Sequence, residues 1–288
     1  MSPSRRIEPR LLTKSIARLL ATFALAILLT SAAACAPKSQ NGEHDASDNP
    51  GTKATNTEAT DAPDSATTGN GGATSPDATA TWDYVALGDS LAAGVGARQG
   101  YVDRYAEDVR ADAGARVKVT NLGVSGQTSA QLLRVLRSDA SARRAISGAE
   151  VITFNIGIND LGRASGQYEA ETCGGARNQR CLRSAVRTLE ENWDAAIREI
   201  LELRSTDEAI IRTVGLGYTP HVGGVYQHYL QEANRHIDAS TAESSVPYAD
   251  VRLGADGLGP DGLHPDGSGY DEIADHLRRL GYHPLQPR

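Results

Sequence analysis

The sequence of 288 residues is short of aromatic side chains and of positive charge. Aromatic residues make up 5% of the chain, too few for a platform on which nucleobases or sugar rings would stack. The formal net charge is −7, and beyond residue 35 it is −11, from 24 basic and 35 acidic side chains. Because a nucleic-acid-binding protein needs a basic face, we expect no nucleic-acid partner.

Cysteine and long apolar runs are also scarce: there are three cysteines, and the main apolar run covers residues 16–30. Five basic side chains precede or enter this run, and the letters S-A-A-A-C end it at Cys35. This pattern is typical of an export signal over residues 1–35. The run falls below the roughly 20 residues that span a bilayer, so an uncleaved anchor is the weaker interpretation.

Cys35 decides how the exported chain is held. A cysteine directly after three alanines resembles a bacterial lipoprotein box, in which the cysteine is lipidated and becomes the mature N-terminus. The box usually has leucine three positions earlier, where this chain has Ala32. The alternative is ordinary cleavage after Ala34, which releases a secreted protein. We expect lipidation of Cys35 and a membrane anchor facing outside.

Residues 36–81 consist largely of Thr, Ala, Ser, Asp, Asn, Gly and Pro without apolar periodicity. Such a segment buries too little surface to offset the entropy of ordering it. We expect a flexible linker with a root-mean-square span on the order of 35–40 Å, which tethers a domain over residues 82–288.

From Trp82 onward, apolar strands alternate with amphipathic helices. We predict strands over residues 84–87, 116–121, 151–156, 209–214 and 246–250. We predict helices around residues 101–109, 128–137, 181–204, 225–239 and 269–280, and a helix of small residues after Ser90. This alternation indicates an α/β fold with a parallel sheet in three layers.

Four polar or glycine-rich blocks lie near the ends of these strands or in the loops that follow. They are G-D-S-L at 88–91, N-L-G-V-S-G at 121–126, G-I-N-D at 157–160 and D-G-L-H-P at 261–265. In these blocks the chain resembles the GDSL/SGNH hydrolase superfamily of esterases and lipases, with Ser90, Gly123, Asn159 and His264 at its four marker positions. The resemblance implies a flavodoxin-like α/β/α sandwich with five parallel strands and a serine esterase without metal or organic cofactor.

Residue chemistry supports a Ser90–His264–Asp261 triad. A serine hydroxyl needs an adjacent base, and His264 is the candidate. Asp261 precedes it by three residues, so one tight loop can place the carboxylate against the imidazole and fix its tautomer. Asp256 is the alternative acid and His221 the alternative base, but each lacks a partner at a suitable offset.

Three donors could stabilise the oxyanion: the backbone N–H groups of Ser90 and Gly123 and the side-chain amide of Asn159. Alternatively, Gly123 is an ordinary turn glycine and Asn159 caps a helix. We expect Asp160 to support the site structurally. Asp89, next to the nucleophile, is expected to point into the fold or to bind the backbone of its own turn.

Cys173 and Cys181 bracket a polar, glycine-rich loop. In an exported protein such a pair predicts a disulfide, and the alternatives are two free thiols or a metal site that would need further ligands. The segment Tyr218–Gly224 is expected at the rim of the site as a substrate-contact loop.

The function that the sequence predicts is hydrolysis of carboxylic esters by a monomeric, exported enzyme. The substrate is either a lipid or short-chain acyl ester, or an acylated cell-wall or plant polysaccharide. A non-catalytic surface binding protein is the third interpretation, but such scaffolds usually lack a triad member and this chain lacks none.

Overall fold

The computed structural model describes residues 80–216 and 224–285. The predicted leader over residues 1–35, with Cys35, lies outside this part of the chain, as does the predicted linker except for its last two residues. The segment Tyr218–Gly224, with His221, is likewise outside except for Gly224.

Five strands form the sheet: β1 Thr81–Leu87, β2 Arg116–Asn121, β3 Val151–Phe154, β4 Ile210–Val214 and β5 Tyr248–Ala249. Seven helices connect or follow them in the described part: α1 Tyr101–Ala113, α2 Ser129–Ser138, α3 Ala140–Gly148, α4 Ile158–Glu169, α5 Arg180–Leu203, α6 Val225–Glu243 and α7 Gly267–Arg279. A short 3₁₀ turn covers Ala255–Gly257.

The strands run in the order β2-β1-β3-β4-β5, and every pairing is parallel. Tyr84 of β1 lies beside Val151 of β3, which lies beside Ile210 of β4. This is the flavodoxin-like order of a doubly wound sheet. The predicted fold class is confirmed.

Alternate residues of each strand divide between two cores, because successive side chains of a strand point to opposite faces. On one face Val85, Ile152 and Ile211 pack with Trp193 and with helices α2 to α6. On the other face Tyr84 and Val151 belong to the core formed with α1 and α7. Helices therefore cover the sheet on both sides, which gives the three predicted layers.

Three details differ from the prediction. Helices α3 and α4 were not expected, because α3 buries only Ala142 and Ile146 and α4 contains Gly162 and Gly166, and glycine disfavours helix interiors. The small-residue segment after Ser90 forms consecutive turns over residues 90–96 and no helix. Strands β3 and β5 are shorter than predicted.

The sheet order places the candidate site. The direction of winding reverses between β1 and β3, and ligands of open α/β sheets bind at the carboxyl ends of the strands at such a switch point. Ser90 follows β1, and Asn159 follows β3. Both candidate residues therefore come from the two strands that flank the switch.

Candidate active site

The candidate nucleophile lies on a tight turn at the end of β1. Gly88 has φ of +144° and a side chain there would collide with Asn155, so the chain can turn at this point only with glycine. Ser90 follows with 5% of its surface exposed. Hydrogen bonds from Ala93 N to Asp89 O (3.0 Å) and from Val95 N to Ser90 O (3.0 Å) hold the segment, which we call the nucleophile turn, residues 88–96.

Asp89 points into the fold, as predicted, and also binds its own turn. Its Oδ1 accepts the Leu91 N–H at 3.0 Å and the Asn155 Nδ2–H at 2.8 Å. The carboxylate is fully buried, and its Oδ2 has no hydrogen-bond partner in the described structure. Burial raises the pKa of Asp89 to about 6, against the lowering effect of the two hydrogen bonds.

Asn155 connects Asp89 to a buried chain of polar groups that sequence reasoning missed. The Tyr101 hydroxyl donates to Asn155 Oδ1 at 3.4 Å. The Tyr84 hydroxyl and Thr153 Oγ1 are 2.8 Å apart. The signal was present as an asparagine inside the apolar run 151–156, where a buried amide requires partners. These groups fix Asp89 and, through it, the turn that carries Ser90.

His264 and Asp261 are joined as predicted. The His264 Nδ1 lies 2.7 Å from Asp261 Oδ2, and Asp261 Oδ1 accepts the backbone N–H groups of Leu263 (3.0 Å) and His264 (2.9 Å). Burial alone would raise the pKa of Asp261, but the hydrogen bonds from the His264 ring and from the two backbone groups lower it. An ionised carboxylate accepts from Nδ1–H, which leaves Nε2 as the imidazole's basic nitrogen.

Asp256, the alternative acid, is exposed on the 3₁₀ turn, and no hydrogen bond or ion pair joins its carboxylate to His264 among the described contacts. The structure thus brings Asp261, and not Asp256, to the imidazole.

The loop of His264 is packed against the nucleophile turn. At Gly96 (φ +101°) a Cβ atom would lie 2.9 Å from His264 Cβ and 2.7 Å from Pro265 O. From the adjacent helix α7, the Tyr270 hydroxyl donates to Val95 O at 2.7 Å. Ser90 and His264 therefore sit on two turns in direct contact, held together at Gly96 and Val95.

Gly123 lies against the other side of the nucleophile turn. A Cβ atom there would be 2.6 Å from Ala93 N and 2.8 Å from Ala92 C, so glycine is required for this approach. The Gly123 N–H donates to Asn121 Oδ1 at 2.9 Å, and Asn121 Nδ2 donates to Ala92 O at 2.7 Å. Asn121, which sequence reasoning did not single out, thus clamps the two turns and engages the N–H predicted to face the oxyanion.

Asn159 is placed by the loop that carries Gly123. Its Nδ2 donates one hydrogen to Gln127 O at 3.0 Å, so the second amide hydrogen points elsewhere. The helix cap of α4 is Gly157, so Asn159 is not the cap. Asp160 accepts from Ser129 N (2.9 Å) and Ser129 Oγ (2.7 Å), which ties α4 to the start of α2 and agrees with a structural role.

Cys173 and Cys181 form a disulfide with their Cα atoms 5.3 Å apart. It closes the loop between α4 and the beginning of α5. No group of three or more His, Cys, Asp or Glu side chains within residues 80–216 and 224–285 is arranged to hold a metal ion. None of the helices in these ranges is long and apolar enough to cross a membrane.

Comparison with known proteins shows which family has this fold and these four sequence blocks. Residues 86–272 match the model of the GDSL-like lipase/acylhydrolase family. The chain belongs to this family. The match runs from the end of β1 into α7 and includes all four marker positions, and the chain is accordingly a carboxylic ester hydrolase of the GDSL/SGNH type.

Two lipases are similar to this chain in sequence, and an acetylxylan esterase is similar to it in fold. The chain is 26% identical to the spore germination lipase LipC of Bacillus licheniformis, over 72% of this chain and 99% of the relative. The solved lipase Lip_vut3 from a goat rumen metagenome is 25% identical with a TM-score of 0.64, over 71% of this chain and 100% of that one. An acetylxylan esterase from Geobacillus stearothermophilus shares the fold at 19% identity and a TM-score of 0.55, over 73% of this chain and 99% of that one.

Proposed function

We propose that this chain is an exported serine esterase in which Ser90, His264 and Asp261 hydrolyse short acyl esters. The observation that carries the proposal is the 2.7 Å contact between His264 Nδ1 and Asp261 Oδ2 on a loop packed against the nucleophile turn. A base oriented by a carboxylate beside a serine is the arrangement that acyl transfer requires.

The reaction has two halves. Ser90 Oγ attacks the acyl carbonyl while His264 Nε2 takes its proton, and His264 then returns the proton to the leaving alcohol. In the second half His264 Nε2 takes a proton from water, which attacks the acyl-serine, and the same proton passes to Ser90 Oγ as the acid is released. Asp261 holds the imidazole and stabilises its charged form.

The oxyanion of both steps is bound by the Ser90 N–H and the second amide hydrogen of Asn159. Losing one such donor typically costs about 2.7–4 kcal/mol of transition-state stabilisation. The Gly123 N–H already donates to Asn121 Oδ1. It can bind the oxyanion as a third donor only if that hydrogen bond breaks or is shared.

The small exposed apolar surface favours short acyl groups. Among the described residues Val124, next to Gly123, is the large apolar side chain with an exposed surface, at 53%. A lipase for long chains would present a wider apolar area at the site.

Carbohydrate esterase activity, as in the acetylxylan esterase that shares the fold, is the second candidate. A series of p-nitrophenyl esters and acetylated sugars separates them: a preference for C2–C4 over C8 excludes a long-chain lipase.

The assignment of Ser90 is tested by Ser90→Ala. We expect hydrolysis of p-nitrophenyl butyrate to disappear while thermal unfolding monitored by circular dichroism is unchanged. Ser125→Ala is the matched control, because Ser125 is an exposed hydroxyl in the Gly123 loop, and it should keep full activity. Activity retained by Ser90→Ala would refute the mechanism.

The location of the enzyme is a separate part of the proposal. Lipidation of Cys35 would hold it on the outer face of the membrane, at the end of the linker over residues 36–81. In the producing cell, Cys35→Ser should move the protein from the membrane fraction to the medium. An unchanged distribution would show that Cys35 is not the anchor.

A further inference from the structure

Val124 is an apolar side chain that is exposed to solvent beside the candidate active site. Single exposed apolar residues are common on protein surfaces, but among the residues that the structure describes Val124 is the one large apolar side chain that is exposed, at 53%. It directly follows Gly123, which lies against the nucleophile turn. The steps of ester cleavage make no use of this side chain.

The backbone of Val124 is held by hydrogen bonds on both sides. Its N–H donates to Gly88 O at 2.9 Å, and its carbonyl oxygen accepts the Gln127 N–H at 3.0 Å. Gly88 begins the nucleophile turn, and the Gln127 carbonyl oxygen holds the Asn159 amide. The Val124 side chain therefore projects from a point of the backbone that is fixed relative to both the nucleophile and the oxyanion amide.

The continuation of β2 determines the face of the sheet on which Val124 lies. Leu122 N donates to Ala86 O at 2.8 Å, so the hydrogen bonding between β1 and β2 continues past the end of β2 as far as Val124. Alternate residues of an extended strand point to the same face, and Leu122 packs against the core formed with helices α2 to α6. Val124 thus lies on the same face as α4, whereas Gly123 faces the nucleophile turn.

Val124 and His264 approach the candidate nucleophile from opposite edges of the sheet. β2 and β5 are the two edge strands in the order β2-β1-β3-β4-β5. Val124 follows β2, whereas His264 belongs to the loop between β5 and α7. The strand that carries Ser90, β1, lies between these two edges. A group bound to Ser90 therefore has the base on one side and Val124 on the other.

The tetrahedral intermediate has a direction for each part of the ester. Four groups surround the reacting carbon: Ser90 Oγ, the oxyanion, the oxygen of the leaving alcohol and the acyl chain. The alcohol oxygen receives its proton from His264 and must come within about 3 Å of the imidazole, while the oxyanion points to the Asn159 amide. The acyl chain takes the remaining direction, away from His264 and toward the edge of the sheet where Val124 lies.

We propose that Val124 binds the acyl chain of the substrate and sets the preferred acyl length. The proposal rests on the proposed esterase function and specifies its acyl preference. Contact with the valine methyl groups removes apolar surface from water, and each methylene group that is buried is worth about fourfold in affinity. Ser125 and Gly126 follow Val124, so the apolar contact ends after one side chain. The contact thus favours butyryl over acetyl groups and adds little for longer chains.

The test compares p-nitrophenyl butyrate with p-nitrophenyl acetate, which differ only in the acyl chain, as substrates of the full chain. We expect the wild type to have the higher kcat/KM for the butyrate. Val124→Ala should lower the butyrate-to-acetate ratio about fourfold, mainly through KM, since the contact with roughly one methylene group is lost. Val117→Ala is the matched control, because it removes the same methyl groups at the other end of β2, and it should leave the ratio unchanged.

A second pair of esters separates the acyl chain from the leaving alcohol. Val124→Ala should not change the ratio of kcat/KM between butyl acetate and ethyl acetate, because their alcohols lie on the His264 side. An effect of equal or greater size on this second ratio would overturn the proposal, since Val124 would then contact the alcohol. An unchanged butyrate-to-acetate ratio in Val124→Ala would overturn it as well.

A binding experiment distinguishes this failure from a failure of the esterase function. If the wild type hydrolyses none of these esters, the proposed function is wrong, and the contact at Val124 is then decided by binding alone. Ethyl butyrate and ethyl acetate are titrated into the Ser90→Ala chain with isotope-labelled valine methyl groups and followed by NMR. A larger shift of the Val124 methyl signals with ethyl butyrate supports the acyl contact, and equal or absent shifts refute it.

Discussion

Asp89 and Asp261 form the same local turn in two different surroundings. Each accepts the backbone N–H of the leucine two positions ahead, Leu91 and Leu263, at 3.0 Å. Asp89 is fully buried, with one oxygen unpaired, and its pKa is raised to about 6 because of burial. Asp261 is partly exposed, and the hydrogen bonds it accepts, from His264 foremost, lower its pKa below the ordinary value despite the opposing effect of burial.

The difference shows that an aspartate beside the nucleophile is not therefore the catalytic acid. The D-x-L pattern determines the turn, since a carboxylate readily binds the backbone two residues ahead. The surroundings determine the pKa: burial raises it at Asp89 although the Asn155 amide donates a hydrogen bond, whereas at Asp261 the hydrogen bonds from the His264 loop outweigh burial. Asp89 shapes the turn that carries Ser90, and Asp261 orients the base.

The largest effect is expected from Asp261→Asn. An asparagine cannot carry the charge that stabilises the imidazolium, so kcat/KM for p-nitrophenyl butyrate should fall on the order of 10³–10⁴-fold. Asp256→Asn is the matched control, because Asp256 is an exposed carboxylate on the 3₁₀ turn five residues earlier, and it should retain full activity. If Asp261→Asn kept more than a tenth of the activity, Asp261 would not be the carboxylate that stabilises the His264 imidazolium.

Asp89→Asn tests the other half of the comparison through the free energy of unfolding. Because the folded pKa of about 6 lies above the ordinary aspartate pKa of 3.8, the unfolded chain loses this proton first as pH rises. Stability from the protonated carboxyl is complete below pH 3.8 and is lost as pH rises through about 6. The wild type should therefore lose about 3 kcal/mol relative to Asp89→Asn between pH 4 and 7.

Urea unfolding at several pH values measures this difference. Asp103→Asn is a suitable control, because Asp103 is an exposed carboxylate on α1, and its curve should run parallel to that of the wild type. A parallel curve for Asp89→Asn would mean that burial does not hold the Asp89 carboxyl in its protonated form at mildly acidic pH.

Much of the fold and the candidate site was predictable, and the exceptions have physical reasons. The run 151–156 is apolar except for Thr153 and Asn155, so β3 and the block that follows it could be located from sequence. Helix α4 could not, because it buries only Ile158, Leu161 and Ala164 and contains two glycines. Asn155 was missed because its partner Asp89 is 66 residues away, and a contact of that separation becomes visible only when β1 and β3 are paired.

The smallest expected effect concerns the junction of the two turns at Gly96. Gly96→Ala introduces a Cβ atom 2.7 Å from Pro265 O and 2.9 Å from His264 Cβ, at φ of +101°. We expect a loss of about 2 kcal/mol in the free energy of unfolding and a several-fold lower kcat, because the His264 loop must move away from Ser90. Gly262→Ala separates the clash from backbone strain: Gly262 has φ of +66° and nothing within 4 Å of its Cβ position, so only the strain of about 1 kcal/mol remains. Equal losses of stability and kcat in the two variants would show that contact at Gly96 does not hold the turns together.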